Sequence, residues 1–454
     1  MRIPILFAVF LLIIPSCALY GPIYKKPAIN SPSEWNSQGT LSYSSSADLP
    51  MMAWWQTFDD PQLSLLIETA LKRNNNIQMA VGQSIEAQGQ LEQIEFSWMP
   101  TLNFVLGSSN TGMQNLASGY NIGFMPNFSL NLFQWIRSQE YAEANLAQAN
   151  AAKDAVRLTI IGQTAGGYFA YLGQSYLLTL QEQLVNDTKE LYELSQIQYE
   201  KGLISLYTLQ QYEQQLKTAE AQLPILQNNV VVSRNALRLL LNENPGDIPI
   251  KGHFMQLKSE GIIPVNLPSQ VLKNRPDVQE AEQGLIAANA QIGVATSTFF
   301  PTFSLTGAVG AVSNQLSNFA ANSESYWHHQ ELIIQPVLDA SAFGQIKATK
   351  GEYYSAYHNY VQTVKAAFES VDNDLSAHAR YLASYEAQKQ NNASAMEAYN
   401  LANISYKKGL YSYPTLLTNK INWDNAQINV ATAKLAQLNT IVQLYQDLGG
   451  GYKV

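Results

Sequence analysis

Residues 76–102 read NIQMAVGQSIEAQGQLEQIEFSWMPTL, and residues 277–303 read DVQEAEQGLIAANAQIGVATSTFFPTF. Asn76 aligns with Asp277, Ala80 with Ala281, Ala87 with Ala288 and Pro100-Thr101 with Pro301-Thr302, all at an offset of 201. Downstream, Tyr199-Glu200-Lys201-Gly202-Leu203-Ile204-Ser205 aligns with Tyr406-Lys407-Lys408-Gly409-Leu410-Tyr411-Ser412 at an offset of 207. Two matches in one order, with little drift between them, mark an internal duplication of about 200 residues. Each copy has the same grammar. A helical run ends at Pro100 or Pro301. Two strand-like segments follow, around a Gly/Ser/Asn-rich stretch. A very long helical run, a Lys-Gly turn and a second long helical run complete the copy. The organisation expected is a leader over 1–16, an N-terminal extension over 17–60, a first repeat over 61–265 and a second over 266–454.

The strand-like segments alternate. Leu102, Phe104 and Leu106 share one face. Over residues 120–133, Ile122, Phe124, Phe128, Leu130 and Leu132 fall on one side, and Asn121, Gly123, Asn127, Ser129 and Asn131 on the other. Phe303, Leu305, Val309 and Ala311 oppose Thr302, Ser304, Thr306 and Gly310. A fourth segment, over 327–339, alternates less cleanly. Period two gives each strand an apolar and a polar face. Segments of about ten residues with this pattern suit a transmembrane β-barrel; an ordinary half-buried sheet is the alternative. Trp98, Tyr120, Phe133, Trp135, Phe299, Phe300, Tyr326 and Trp327 cluster at segment ends, as interfacial aromatic girdles would. Four strands cannot close a barrel, which starts at about eight. Three copies would supply twelve, so a homotrimer is expected; two copies giving eight strands is the alternative.

The helical runs contain no proline between Pro126 and Pro224, nor between Pro336 and Pro414. A run of about 60 residues would reach about 90 Å. The expected helices cover 138–199, from after Gly202 to about 242, 341–406 and 412–448. Helices this long lie side by side as a coiled coil or helical tube. Gly162, Gly166, Gly167 and Gly173 are poor helix formers, read here as close-packing or bend points. Pro224 should kink its helix. At Lys201-Gly202 and Lys408-Gly409, Gly can end a helix in the left-handed conformation and Lys complements its negative end. Ser205 and Ser412 are positioned to cap the helices that follow. Taken alone, these turns read better as plain helical hairpins.

The N-terminus begins Met1-Arg2-Ile3-Pro4, continues apolar through residues 5–14, and reaches Pro15-Ser16-Cys17. This is the make-up of a secretory signal, and it is shorter than the ~20 residues that span a bilayer. Ile14-Pro15-Ser16-Cys17 resembles a lipobox, with Pro15 an unusual member. Cleavage before Cys17 would leave that cysteine to carry lipid; plain cleavage with an unmodified cysteine is the alternative. Ala18, rather than Asp, follows Cys17, which in lipoproteins favours the outer membrane. Several acyl chains anchor stably where one would not, at ~0.8 kcal/mol per buried CH2. No later stretch reaches 18 apolar residues, so any crossing of a membrane must be made by strands in a closed barrel.

Charged residues make up 14% of the chain, well below the roughly 25% usual for soluble proteins. The net charge of −8 and the absence of a long basic run exclude a nucleic-acid binder. A single cysteine excludes a disulfide framework or Cys-only metal cluster. No G-x-S-x-G, H-E-x-x-H, C-x-x-C or Walker A motif is present. His328 and His329 are adjacent, so along a strand they point to opposite faces. Asp372 and Asp374 do not share a helix face. No acid, base or metal ligand is nominated, and no cofactor is expected beyond covalent lipid on Cys17.

These residues resemble the TolC-like outer-membrane efflux protein family, in its NodT-type lipoprotein branch. The most specific stretch is Arg275-Pro276-Asp277-Val278, Ala281-Glu282, Leu285, Ala288-Asn289-Ala290, Ile292-Gly293-Val294-Ala295, Phe299-Phe300-Pro301, Leu305 and Gly310. Gly21-Pro22-Ile23-Tyr24-Lys25-Lys26-Pro27, Trp54-Trp55-Gln56-Thr57-Phe58-Asp59-Asp60-Pro61-Gln62-Leu63, the Tyr-x-Lys-Gly-Leu turns and Leu448-Gly449-Gly450-Gly451-Tyr452 also fit. The resemblance implies a mainly α homotrimer, with a 12-stranded barrel in the bacterial outer membrane continued by a 12-helix barrel through the periplasm. It also implies a periplasmic adaptor and an inner-membrane pump as partners. The Lys-Gly turns would be the periplasmic tips and the gate, formed by Tyr199, Lys201, Gly202, Ser205 and Thr208 and by Tyr406, Lys408, Gly409, Ser412 and Thr415.

The chain departs from the family in two places. Thr208-Leu209 and Thr415-Leu416-Leu417 stand where the family often has Asp-Val-Leu, so a ring of carboxylates there is not expected. Leu130-Asn131-Leu132-Phe133-Gln134-Trp135-Ile136-Arg137 replaces Leu-Asp-Leu-Phe-Gly-Arg before the first long helix. The function expected is that of a passive export duct. The alternatives are a secretion duct for proteins and a structural coiled-coil lipoprotein of the envelope.

Overall fold

The structure is a computed structural model and describes residues 21–32, 35–36, 49–109, 118–249, 252–258 and 268–454. The leader over 1–16 and Cys17 lie outside the described residues. Helix α1 (Pro61–Arg73) starts on Asp60, whose carboxylate accepts the Gln62 and Leu63 N–H groups, with Pro61 at the first helical position. It is followed by α2 (Asn75–Glu95), β1 (Thr101–Ser109), β2 (Gly119–Leu130), α3 (Leu132–Glu200) and α4 (Leu206–Leu240). The second series is α5 (Pro268–Asn274), α6 (Pro276–Thr296), β3 (Thr302–Ser313), the single turn α7 (Phe319–Asn322), β4 (Glu324–Ile334), α8 (Ala340–Lys407) and α9 (Tyr413–Asp447). Apart from α7, it repeats the first series element for element.

Several boundaries differ from expectation, and α3 starts at Leu132 rather than at 138. The strand read over 120–133 stops at Leu130, because Asn131 caps α3: its Oδ1 accepts the Gln134 N–H at 3.1 Å. The strand read over 327–339 is β4, which starts and stops earlier. Pro336, which has no N–H to give a ladder, follows its end, and Asp339 caps α8 by accepting the Ser341 and Ala342 N–H groups.

The chain divides into two compact units, each drawn from both repeats. The described residues of the first fall within 21–29, 81–152 and 277–363, and include the whole sheet. The second takes in 30–80, 153–276 and 364–454. In the second unit Trp54 stacks on Tyr445, with ring centroids 5.0 Å apart, and donates its Nε1–H to the Gly450 carbonyl. Gly451 N–H donates to the Leu49 carbonyl and Lys453 N–H to that of Pro50. Gly451 has φ +90°, and a Cβ there would fall 2.8 Å from the Trp55 ring. The Trp-Trp motif and the Gly-Gly-Gly-Tyr segment are thus two sides of one core. Of the α3 glycines, Gly162 abuts the Gln446 side chain and Gly173 the Leu435 side chain, as close packing requires. Gly166 and Gly167 have only ordinary van der Waals neighbours.

Candidate functional site

The four strands form one antiparallel sheet in the order β1-β2-β3-β4. Its register sets Phe104 opposite Phe124, Phe124 opposite Val309 and Val309 opposite Trp327, so one apolar row crosses all four strands. A second row runs Leu106, Ile122, Ala311. On the other face Asn127 meets Thr306 and Thr306 meets Gln330, while Ser129 meets Ser304. No described element covers the apolar face: Leu106 is 73% exposed, Phe104 59%, Val309 53% and Trp327 75%. An ordinary half-buried sheet would hide these residues, since burial contributes ~1.5–3 kcal/mol per large apolar side chain. The first and last strands are sheet edges, which carry unpaired backbone groups suited to another chain.

His328 and His329 lie on opposite faces, as adjacent strand residues must. His329 stacks on Trp327 at 5.4 Å. Ser325, His329 and Glu331 are polar residues on the apolar side, with Glu331 opposite Leu305. The aromatic residues do not all form girdles. Tyr326 pairs with Gly310 on the polar side. Phe133 packs on Phe300 at 4.2 Å, Phe299 on Phe343 at 5.4 Å, and Trp135 donates to the Ile94 carbonyl. They close the junction between sheet and helices, whereas Trp98 and Trp327 stand exposed.

The two Lys-Gly turns are built identically. Gly202 N–H donates to the Tyr199 carbonyl at 2.8 Å and Leu203 N–H to that of Gln198 at 2.8 Å. Gly409 N–H donates to the Tyr406 carbonyl at 2.8 Å and Leu410 N–H to that of Ser405 at 2.9 Å. This bond pair is a Schellman motif, and Gly202 at φ +72° and Gly409 at φ +75° supply its left-handed residue. Lys201 and Lys408 hold the position before each glycine. Ser205 Oγ then accepts the Thr208 N–H and Ser412 Oγ that of Thr415, capping α4 and α9. The threonine hydroxyls also bond the serine hydroxyls, at 3.1 and 2.9 Å. Thr208 and Thr415 therefore complete caps. In a Schellman motif the residue after the glycine usually packs on an apolar residue at the helix end. Here the facing positions are Gln198 and Ile197 on one turn and Ser405 and Ile404 on the other, yet Leu203 and Leu410 both stand 72% exposed. Each tip presents a bare leucine.

Sequence reading missed a polar cluster near the second turn. Lys420 Nζ lies 2.6 Å from Asp424 Oδ1 and 3.1 Å from Asp187 Oδ2, while its ammonium sits over the Trp423 ring. Asp424 is buried, and burial together with the Asp187 carboxyl raises its pKa above the usual carboxylate range, partly offset by Lys420. Closer to the turn, Tyr413 donates its hydroxyl to Glu190 at 2.6 Å. The Lys420/Asp424 spacing of four was legible on a helix. Their partners on α3, more than two hundred residues away, were not.

Among the described residues no group of three or more His, Cys, Asp or Glu is placed to hold a metal ion. A polar cleft of ≈ 700 Å³ in the first unit is lined by Tyr141, Gln148, Asp277, Glu280, Glu352 and Asn359 among others, without serine, cysteine or histidine. No helix among the described residues is long and apolar enough to cross a membrane.

Known proteins share this arrangement over almost their whole length. A sequence profile described as outer membrane efflux protein matches residues 66–243 and 267–450. The chain is 29% identical to the solvent efflux pump outer membrane protein SrpC of Pseudomonas putida, over 98% of this chain and 97% of that one. It is 25% identical to nodulation protein T of Rhizobium leguminosarum bv. trifolii, over 98% and 96%. The solved open state of the Neisseria gonorrhoeae MtrE outer membrane channel superposes with a TM-score of 0.82 at 27% identity, covering 95% of this chain and 98% of that one.

Proposed function

The chain belongs to the outer membrane efflux protein family, and from that premise we propose that three copies pool their strands and hairpins into one passive export duct. It is an outer-membrane efflux channel. The observation that carries the trimer is the sheet: four strands, two open edges and an uncovered apolar face. Twelve strands from three chains would close the edges, turn the apolar rows to lipid and enclose the Asn, Ser, Thr and Gln rows around water. The lining so formed is rich in neutral amides and hydroxyls, which suits passage without strong selection. The choice among small molecules, the class exported by its relatives as named, then falls to an inner-membrane pump reached through a periplasmic adaptor. The bare tip residues Leu203 and Leu410 supply apolar contact for that adaptor. The gate is assigned to the same turns, from Tyr199 to Thr208 and from Tyr406 to Thr415. No bond is made or broken, so the protein is not an enzyme. Cys17 carries the lipid that holds the chain at the outer membrane.

Protein purified from outer membranes should have the mass of three chains in mild detergent and conduct ions in planar bilayers. A monomer that conducts would reject the pooled barrel. Disulfide crosslinks engineered between the tips should stop efflux in cells, and transport unimpaired by complete crosslinking would reject the gate.

A further inference from the structure

Residues 21–26 lie along α6 as an extended strap. Gly21 O accepts from Arg137 Nη2 at 3.3 Å, and Pro22 O accepts from Asn289 Nδ2 at 2.9 Å. Both donors are buried. Tyr24 donates its hydroxyl to Glu282 at 3.4 Å, and Lys26 Nζ meets the same carboxylate at 2.6 Å. Glu282, Asn289 and Gly293 are spaced i, i+7 and i+11, one stripe of a helix. The strap therefore runs antiparallel to α6, with its Gly21 end toward the sheet.

Two glycines fix the register. Gly21 has φ +93°, and a Cβ there would fall 2.7 Å from Gly293 Cα. A Cβ on Gly293 would fall 2.6 Å from Arg137 Cδ. The lengths agree as well. Eleven helical residues, from 282 to 293, rise about 16 Å. Five extended residues, from 21 to 26, span at most about 17 Å. The strap cannot slide by one residue without losing both carbonyl bonds.

Only four peptide steps separate Gly21 from Cys17, a reach of at most about 14 Å. That radius from Gly293 covers the end of α6 and the turn Ser297–Phe299 that leads into β3. We propose that residues 21–26, clamped by Arg137, Glu282, Asn289 and Gly293, are a depth gauge: they fix the lipid-bearing end at the base of the sheet and so set the level of the strands in the bilayer. This rests on the reading that Cys17 carries lipid.

The test uses the full-length protein. The thiol introduced by Trp98→Cys, at the exposed base of the sheet, reports depth through its labelling rate by a membrane-impermeant maleimide in proteoliposomes. Palmitate incorporation is followed in parallel. Two variants loosen the gauge. One is Glu282→Ala with Asn289→Ala. The other inserts about six Gly/Ser residues between Ala18 and Leu19, adding ~13 Å of flexible reach while leaving every strap contact in place. Both should keep palmitate and the trimer yet change the labelling rate: the double substitution by about tenfold, the effect on docking of losing two or so hydrogen bonds, and the insertion in the same direction through its added reach alone. Unchanged rates in lipidated variants would overturn the gauge and leave the lipoprotein standing. A wild-type chain without palmitate would overturn both. If the double substitution fails to assemble, the insertion variant decides.

Discussion

At the ends of α3 and α8 the backbone makes the same turn to within a few degrees, yet the helices that leave those turns meet opposite surroundings. Helix α9 buries Leu416, Leu417, Ile421, Val430, Leu438 and Ile441 within its own chain. Helix α4 buries Leu209, Leu216, Ala219 and Leu237, and leaves Tyr207, Ile225, Val231, Val232 and Leu239 exposed. At the repeat offset of 207, buried Leu438 corresponds to Val231, Asp424 to Lys217 and Lys420 to Glu213. Lys217 pairs with Glu220 in the open, where Asp424 and Lys420 are enclosed. Duplication thus preserved the local code of the turn and let the faces diverge. One hairpin is filled by its own chain. The other keeps an exposed apolar surface.

This contrast can be broken most severely at the exposed face. Val231→Asp with Val232→Asp should leave each chain folded but abolish the trimer, because two charges would enter a copy-to-copy contact. Native mass measurement should then find single chains with unchanged helicity. Next in size, Leu438→Ala should destabilise by about 2–5 kcal/mol, the cost of a cavity at a fully buried leucine. Its counterpart Val231→Ala should stay within about 0.5 kcal/mol in the single chain. Chemical denaturation of detergent-solubilised monomer compares the two. The turns sharpen the comparison from the other side. Gly202→Ala and Gly409→Ala should each cost about 1 kcal/mol, since both force a side chain into left-handed backbone. Equal losses of hydrogen-exchange protection at the two tips are expected, whatever the surroundings of α4 and α9.

The smallest expected effect is a pH dependence confined to the second hairpin. Burial and the Asp187 carboxyl raise the pKa of Asp424 in the folded chain above its value in an open one. The stabilisation from this group is therefore complete at acid pH and is lost as the pH rises through the folded pKa. Asp187 and Lys420 face the carboxyl directly, with Tyr413 and Glu190 nearer the turn. Exchange protection of residues 413–428 should fall from acid toward neutral pH. Asp424→Asn should flatten that profile, and the segment around Lys217 should show none.

The elements that were legible obey a period. Alternation at two residues marked β1 to β3, the proline-free runs marked α3 and α8, and the Lys-Gly punctuation marked the starts of α4 and α9. The duplication was legible because both copies keep those signals in one order. What escaped depends on single side chains or distant partners. Asn131 ends β2 by capping α3, a choice no periodicity encodes. Phe133, Trp135 and Phe300 looked like lipid-facing aromatics until their partners were visible. The cap geometry around Gly202 and Gly409 was readable, but the Asp187–Lys420 contact joins residues that only the folded chain brings together.

The closure of Trp54 against Tyr445 and the Gly450 carbonyl bears on biogenesis. A ribosome releases residue 54 almost four hundred residues before its partner ring exists. Neither repeat can finish its own core, since both units borrow segments from both halves. The core around Trp54 can therefore shut only once synthesis has passed residue 450. A premature stop anywhere in α9 should hence yield a substrate for proteolysis and no half-sized product.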